Sequence, residues 1–327
     1  MWIEVVCGLF LYKVLRRFFY DDAVFDVDTS DFNAIFSVAS RLEKLYGGKA
    51  FVGLRIPDPD SDSTSASASR VNCDLVLLTR EEAVLISVKN MAGFVSVNSD
   101  GSWMCRSEHK RREELYPDPV AEANRQASVL EAYIEQRGVS LPQGFLSYKV
   151  ITSNPKFRTL NPERFQPEVI RHDQWVHLKK ESKSVFSGWF KGALRSAKKE
   201  VQESTLQQLQ FVLSTAPMWD RLELKGSKYV LGQFLEFKGK HEDVQALKVI
   251  KRSKVGRMNV QKTSMFGLAP TTVQVLYSFR DYRNGGSSSE WKEMTVRSST
   301  EILFQPQNSK KVCKFKLSTV SSMSLSA

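Results

Sequence analysis

Three residues on two neighbouring apolar segments carry the most specific chemical pattern in this sequence. Asp74 lies within residues 71–79, and Ser87 and Lys89 lie near the end of residues 83–89. Metal-dependent nucleases place an aspartate on one strand and an acid, any residue and a lysine on the next. The two carboxylates hold Mg²⁺ through oxygen atoms, and the lysine stabilises the developing phosphate charge or positions the attacking water. Here the aspartate and the lysine have that spacing, but serine occupies the acid position.

The serine weakens the predicted metal site. A hydroxyl is a neutral, weak ligand for Mg²⁺, so the two acids of such a site fall to one, Asp74. Glu43, on the preceding helix, is a candidate for a migrated carboxylate that would restore the second acid. The structural alternative is a salt bridge between Asp74 and Lys89 across the two strands, because a buried carboxylate is costly unless it is paired.

The elements that must position these residues follow from periodicity and turn signals. A helix capped by Ser30 or Asp31 leads to a strand at 50–56 and then to a polar loop at 57–69. Strands 71–79 and 83–89 form a hairpin across residues 80–82, and strands 93–97 and 102–105 form a second one. A helix that Asp118 and Pro119 start, and a strand at 147–152, complete the pattern. The order predicts a mixed sheet with helices packed on it.

Residues 32–137 resemble a NERD (nuclease-related) domain of the PD-(D/E)xK nuclease superfamily, and the chain resembles the plant proteins that carry one. The resemblance rests on the strand NCDLVLLT and on Lys89 with its following residues. Further along the chain it rests on a tryptophan after Asp-Gly and on a Pro-Asp-Pro helix start. The matching residues are Asp74, Lys89, Asn90, Gly93, Trp103, Pro117, Asp118, Pro119 and Gln126.

This resemblance implies a restriction-endonuclease-like α/β fold over residues 30–153. It implies Asp74, Lys89 and Gln126 as catalytic residues, with Ser87 in place of the usual glutamate. It also implies Mg²⁺, held by Asp74. A second departure is that the family tends to have Gly-Glu near the start of the first helix, where this sequence has residues 34–36, Ala-Ile-Phe. We therefore expect a nuclease-related protein with an incomplete metal site, weakly active or inactive. The alternatives are an active Mg²⁺-dependent nuclease that uses a migrated carboxylate, and a non-catalytic scaffold for protein interactions.

The second half of the chain differs from the first in composition and in residue pattern. Residues 154–215 are basic and partly helical, with helices expected around 187–194 and over 202–213. Residues 216–327 alternate short strands with turns rich in Gly, Asn and Ser. This spacing predicts a β-rich domain, and an OB-like barrel is the first interpretation. Five cations near its strands are candidates for nucleic-acid binding: Lys248, Lys251, Arg252, Lys254 and Arg257.

Charge and cysteine content narrow the function classes further. The net charge is +11, and residues 141–327 hold 31 Lys/Arg against 15 Asp/Glu, whereas residues 1–140 hold 16 against 21. Such an excess favours a polyanionic partner, either nucleic acid or an acidic membrane surface, although a solvated lysine-rich face is also consistent with it. The four cysteines are widely separated, which argues against a zinc site and a disulfide framework and predicts free thiols.

The apolar N-terminal segment, residues 1–20, is a candidate membrane anchor. Residues 2–15 are mostly apolar, and Arg16 and Arg17 follow them. The segment is short for a spanning helix, which needs about 20 apolar residues. A short signal anchor, an interfacial helix and a helix packed on the protein are all consistent with it. In the anchored arrangement, the residues beyond 20 face the cytosol.

Overall fold

The computed structural model describes residues 28–58, 70–106, 113–178, 203–262, 271–281 and 286–326. The chain divides into two compact units, Ser30–Trp219 and Asp220–Tyr282 with Gly286–Ser326. The N-terminal segment 1–20 and the helix expected around 187–194 lie outside the described residues. No helix within the described ranges combines the length and the apolar character needed to cross a membrane.

Four helices occur in the described part of the first unit. They are α1 (Ser30–Tyr46), α2 (Pro119–Gln136), α3 (His172–His177) and α4 (Glu203–Thr215). The predicted start of α2 is confirmed: the Asp118 carboxylate accepts a hydrogen bond from the Val120 amide at 2.8 Å, and Pro119 takes the first helical position. Proline is favoured there because its missing N–H would have no partner within the helix.

The strands of the first unit form two sheets. In chain order they are β1 (Lys49–Pro57), β2 (Arg70–Leu78), β3 (Ala83–Lys89), β4 (Gly93–Val97), β5 (Trp103–Arg106), β6 (Glu113–Tyr116), β7 (Leu146–Thr152), β8 (Phe157–Thr159) and β9 (Val169–Ile170). The larger sheet has the order β1-β2-β3-β7-β9, and the smaller has the order β6-β5-β4-β8.

The larger sheet is mixed. Its first three strands are antiparallel, whereas β3, β7 and β9 run parallel. The predicted first hairpin is confirmed, with Leu75 opposite Ile86 and Leu78 opposite Ala83. Because β3 and β7 are parallel, Lys89 and Thr152 end side by side at the same edge of the sheet.

A helix covers each face of this sheet. On one side, α1 packs Ile35, Val38 and Leu42 against Val84 and Ile86. On the other side, α2 packs its buried stripe against alternate residues of the same strands. A strand buried on both faces is apolar at nearly every position, and β3 fits this description until Ser87 and Lys89. The polar end of β3 is therefore the exception that needs an explanation.

The smaller sheet continues directly from β3. Its predicted hairpin is confirmed, with Val97 of β4 opposite Trp103 of β5. Trp103 is buried and packs edge-on against Phe165, with ring centroids 5.2 Å apart. Strands β6 and β8 form the two edges of this sheet, and neither is predicted by the sequence pattern.

The second unit is built on one eight-stranded antiparallel sheet. It contains the short helix α5 (His241–Leu247) and the strands β10 (Asp220–Leu224), β11 (Lys228–Lys238), β12 (Val255–Lys262), β13 (Thr272–Asp281), β14 (Gly286–Arg297), β15 (Glu301–Pro306), β16 (Cys313–Lys316) and β17 (Val320–Ser324). The strand order is β14-β13-β12-β17-β10-β11-β15-β16.

The predicted fold class is confirmed at the level of a mixed α/β region followed by an antiparallel β-rich region, and the OB-like barrel stays a prediction. Strand β17 lies between β12 and β10 in the middle of the sheet, although its sequence carries little strand pattern. Its sequence, VSSMS, has only Val320 and Met323 as large apolar residues. Serine-rich segments of this kind are typical of loops, and two apolar residues are too few to show the alternation of a strand.

Candidate functional site

Polar side chains gather where β3 and β7 end at the sheet edge. The first turn of α1 brings Asp31 to this edge, and the first turn of α2 brings Glu122. Helix N-termini favour negative charge nearby, so both carboxylates are electrostatically compatible with these positions. The carboxyl ends of parallel strands are also where open α/β sheets bind ligands.

Asp74 sits at an interruption of β2. Cys73 packs with the α2-side core and Leu75 with the α1-side core, although residues two apart on a regular strand share a face. The facing residue of β1 is Gly53, which has a φ of +74°, and neither it nor Asp74 takes part in the paired register. The strand therefore twists at Asp74, which explains how a carboxylate fits into an otherwise apolar strand.

Ser87 is opposite Asp74 and holds it. The Ser87 hydroxyl donates to Oδ2 of Asp74 at 3.4 Å, and the Val88 amide donates to the same oxygen at 2.9 Å. The predicted proximity of Asp74 and Ser87 is therefore present in the structure. The serine supports the aspartate through a hydrogen bond, and its neutral hydroxyl adds no charge for a cation.

Several groups act on the ionisation of Asp74. Burial raises the pKa of its carboxyl, and the nearby Glu122 carboxylate raises it further. The Val88 amide, the Lys89 ammonium and the Ser87 hydroxyl lower the pKa of Asp74, without offsetting the burial. The electrostatic effect of Glu122 on Asp74 means that two carboxylates share this edge.

Lys89 forms an ion pair with Glu122. The Lys89 ammonium nitrogen lies 3.1 Å from Oε2 of Glu122, and the other oxygen, Oε1, accepts from Gln126 Nε2 at 3.3 Å. Among the described residues, the ion pair of Lys89 is with Glu122, and its ammonium group acts on Asp74 only by lowering the pKa of that carboxyl. Glu122 and Gln126 are four residues apart on α2, so they face the same way and both point at the end of β3.

Two buried oxygens beside this pair lack partners among the described residues. Gln126 is 7% exposed, and its Oε1 accepts no hydrogen bond because its Nε2 faces Glu122. Thr152, the parallel neighbour of Lys89, is fully buried, and its hydroxyl has no partner. Buried polar atoms are normally hydrogen-bonded, so two such oxygens next to Lys89 and Glu122 indicate a site for a ligand or water.

Asn90 connects the sheet edge to α1. Its Nδ2 donates to Oδ1 of Asp31 at 3.1 Å, and its own Oδ1 accepts from Asn154 at 3.1 Å. His172 lies close to this network, with Nδ1 3.1 Å from the Ser153 carbonyl oxygen. These contacts hold the residue after Lys89 in place on both sides.

Glu43, the residue expected to supply a migrated carboxylate, is placed elsewhere. Its Oε1 accepts a hydrogen bond from the Ala50 amide at 2.8 Å and so ties the end of α1 to the start of β1. Ala50 pairs with Leu77, near the C-terminal end of β2, whereas Asp74 lies in the middle of that strand. The structure therefore gives Glu43 a local structural contact and brings Glu122 to the site instead.

The sequence carried a signal for Glu122. Asp118 and Pro119 fix the start of α2, which places Glu122 in the first turn and Gln126 one turn later on the same side. The sequence indicated less clearly that Asp31 and Thr152 lie at this site, because their positions depend on how α1 and β7 pack against β3.

The five basic residues of the second unit divide into two kinds. Lys248, Lys251, Lys254 and Arg257 are exposed. Arg252 is bound by the buried Asp220 carboxylate and donates to the Phe234 carbonyl oxygen at 2.7 Å. Four of the five cations are therefore available at the surface, and Arg252 has a structural partner.

The donor set at the sheet edge is compatible with a hard cation, although the described residues contain no group of three or more His, Cys, Asp or Glu side chains arranged to hold a metal ion. Asp74 and Glu122 are carboxylates, and Gln126 Oε1 is a buried carbonyl oxygen without a partner among the described residues. Mg²⁺ and Mn²⁺ take oxygen ligands of these types.

Comparison with protein families gives a match within the first unit. Residues 31–152 match the family model of the nuclease-related domain, NERD. No curated protein and no solved structure matches the chain significantly. The matched segment runs from the first turn of α1 to Thr152 at the end of β7, and so includes Asp74, Ser87, Lys89, Glu122 and Gln126. Residues 31–152 of this chain are therefore a nuclease-related domain of the NERD family.

Proposed function

We propose that the nuclease-related domain hydrolyses phosphodiester bonds in nucleic acid with Mg²⁺ or Mn²⁺, and that Glu122 supplies the carboxylate missing at position 87. The observation that carries this proposal is the contact set of Glu122. It pairs with Lys89 at 3.1 Å, accepts from Gln126 and acts electrostatically on Asp74. The two acids thus come from β2 and α2.

Asp74, Glu122 and Gln126 are the residues that would hold the cation. When bound, the cation neutralises phosphate charge and makes a nearby water more acidic. Its positive charge favours the ionised form of Asp74, which burial and Glu122 disfavour in the free protein. The electrostatic repulsion between the two ionised carboxylates should therefore be smaller with a cation bound than in the free protein.

Lys89 has two roles in this proposal. In the free protein its ammonium group balances Glu122. With a cation held by Asp74 and Glu122, Lys89 would be able to donate to a phosphate oxygen in the transition state, where charge develops. Ser87 keeps Oδ2 of Asp74 oriented through its hydrogen bond, and because it adds no charge we expect slow turnover and weak metal affinity.

A second candidate function is a non-catalytic nucleic-acid-binding or scaffold role. The Lys89–Glu122 ion pair favours it, because the pair satisfies both charges without any ligand. The exposed Lys248, Lys251, Lys254 and Arg257 support a nucleic-acid partner for the second unit in either case. The nuclease-related domain is compatible with such a partner.

Cleavage assays on single-stranded and duplex DNA and RNA, with Mg²⁺, Mn²⁺ or EDTA, separate these functions. We expect slow cation-dependent cleavage that Glu122→Gln, Asp74→Asn and Lys89→Ala each reduce at least ~100-fold, the size typical of losing one electrostatic group in a site. Glu135→Gln, an exposed glutamate on the same helix, is the matched control. Absence of cleavage would support the non-catalytic function, whereas cation-dependent cleavage that Glu122→Gln leaves unchanged would show that Glu122 is not the second acid.

A further inference from the structure

The outer face of the smaller sheet presents an aromatic ring to solvent. On β4, Val95 and Val97 are buried, whereas Phe94 is 41% exposed. The same alternation holds on β5, where Trp103 and Cys105 are buried and Arg106 is exposed. One face of this sheet therefore packs on the core, and the other, which we call the Phe94 face, is open.

Two arginines flank Phe94 across the strands. Phe94 pairs directly with Arg106 on β5 and with Arg158 on β8. Side chains that are directly opposite on antiparallel strands have Cβ atoms roughly 5 Å apart, so Arg106 lies beside the ring. Both arginines are exposed, and within the described residues no cation stacks on the ring of Phe94. The ring is thus partly exposed, with an arginine paired to it on each neighbouring strand. The Nη1 atom of Arg158 also donates to the Pro155 and Phe157 carbonyl oxygens at 2.9 Å.

The next row of the Phe94 face is less polar. Leu115 of β6 is opposite Met104 of β5, which is opposite Ser96 of β4. Leu160, whose amide donates to the Val95 carbonyl oxygen at 3.2 Å, follows β8. Leu115 and Leu160 are 66% and 61% exposed. Glu113, opposite Arg106, places a carboxylate at the β6 edge of the face.

We propose that the Phe94 face binds single-stranded nucleic acid, with a base stacked on Phe94 and the flanking phosphates contacted by Arg106 and Arg158. An open aromatic ring between cations fits a base with its charged backbone, because stacking and phosphate contacts are then made together. A duplex hides the faces of its bases, so it cannot use the ring in this way. The apolar row alongside, with Met104 and Leu115, offers contact to further bases or sugars.

The position of this face relates it to the candidate site. Only Asn90, Met91 and Ala92 separate Lys89 from the first residue of β4. Asn90 is held by Asp31 and Asn154, so the connection between the two is fixed. The proposal deepens the proposed function by naming a single strand as the form of the substrate, but binding to the face does not require cleavage.

The test is the affinity of the full-length protein for short fluorescein-labelled oligo(dT) and oligo(U), measured by anisotropy in EDTA so that cleavage cannot interfere. We expect Phe94→Ala to weaken binding roughly 5- to 150-fold, the range for loss of one base–aromatic stack, and Phe94→Tyr to retain affinity. Arg106→Gln and Arg158→Gln should each reduce the salt slope by about 0.7. Phe211→Ala, which removes an equally exposed phenylalanine (47%) on α4, is the matched control.

Three outcomes would overturn the proposal: no binding of single strands at low salt, equal affinities of Phe94→Ala and Phe211→Ala, or an equal loss of duplex binding in Phe94→Ala. Thermal melts confirm that each variant is folded, which its surface position favours. Because binding is measured without a cation, it is scored whether or not cleavage is ever observed, and Glu135→Gln, an exposed residue outside the candidate site, should bind like the unmodified protein. Failure of the proposed activity and failure of this proposal are therefore distinguishable.

Discussion

The ammonium group of Lys89 lies 3.1 Å from a carboxylate oxygen of Glu122, which joins the end of β3 to the first turn of α2. This contact links the most recognisable residue of the nuclease-like pattern to an acid outside that pattern. It gives the domain two carboxylates at one edge despite the serine at position 87.

The Lys89–Glu122 pair should contribute little to stability. The side chains are 22% and 50% exposed, and ion pairs with this much solvent contact contribute about 0.2–1 kcal/mol. We expect a double-mutant cycle of Lys89→Met and Glu122→Gln, measured by urea unfolding, to give a coupling energy in that range. A coupling well above about 1 kcal/mol would indicate a structural role and count against a catalytic one.

Ser87→Glu should make stability depend on a divalent cation. The new carboxylate would face Asp74 in a position that is 1% exposed, so without metal we expect a loss of about 1–3 kcal/mol from crowding and repulsion. With Mg²⁺ or Mn²⁺ at ~100 times the dissociation constant, about 2.7 kcal/mol should be regained. Thermal melts with and without the cation measure this. The neutral Ser87→Gln is the control, and an equal response of both variants to the cation would refute the expectation.

Asp74→Asn should raise stability at neutral pH. Burial raises the pKa of Asp74 in the folded state, so its protonated form is favoured by folding and its ionised form opposes folding. This contribution is fully present below the ordinary pKa of 3.8 and is lost as the pH rises through the raised value. The melting temperature of the variant should therefore exceed that of the unmodified protein at pH 7, and the two should converge near pH 3. A variant that is less stable at pH 7 would contradict the direction of the shift.

Asp220 should be a main determinant of stability in the second unit. The carboxylate is 2% exposed and accepts from the amides of Phe234 and Ser326 at 2.7 and 2.8 Å, besides binding Arg252. Removing the carboxylate leaves these two amides without an acceptor, which costs about 1–3 kcal/mol for each buried group, whereas the Arg252 side chain is 37% exposed and can be hydrated. Urea unfolding of Asp220→Ala should show this loss, while the exposed Glu290→Ala should change stability by less than about 0.5 kcal/mol. Similar stabilities for the two variants would show that water replaces the carboxylate at both amides.

The N-terminal segment should attach the protein to membranes. Residues 2–15 are mostly apolar, and the basic pair that follows suits the cytosolic side of a short insertion. We expect the full-length protein to sediment with membranes after cell fractionation and a truncated form that begins at Asp21 to stay in the supernatant. If both forms fractionate alike in the supernatant, the segment does not act as an anchor.

Local signals were sufficient for much of the first unit. Alternation and turn residues predicted the β2–β3 hairpin, and Asp118 with Pro119 predicted the start of α2, because caps and turns depend on a few adjacent residues. The partner of Lys89 was not predictable in the same way. The lysine and Glu122 are 33 residues apart, and only the packing of α2 on the sheet brings them together.

Asp74 shows a second limit of sequence patterns. Strict alternation gives Cys73 and Leu75 the same face, yet they pack on opposite sides because β2 twists between them. The facing residue of the neighbouring strand is Gly53, which adopts a positive φ that glycine tolerates without strain. The proximity of Asp74 and Ser87 was expected from the hairpin, whereas the way the strand accommodates the aspartate required the structure.

The central place of β17 has a consequence for biosynthesis. Strands β14, β13 and β12 form one half of the sheet of the second unit, strands β10, β11, β15 and β16 form the other, and β17 joins the two. On the ribosome, each half can pair as it emerges, but neither can bond to the other until residue 324 has left the exit tunnel. Until then β10 and β12 each have an unpaired edge, at which another strand or another chain can pair incorrectly. The nascent second unit should therefore need protection until β17 is available, whereas the first unit, Ser30–Trp219, can complete its fold earlier.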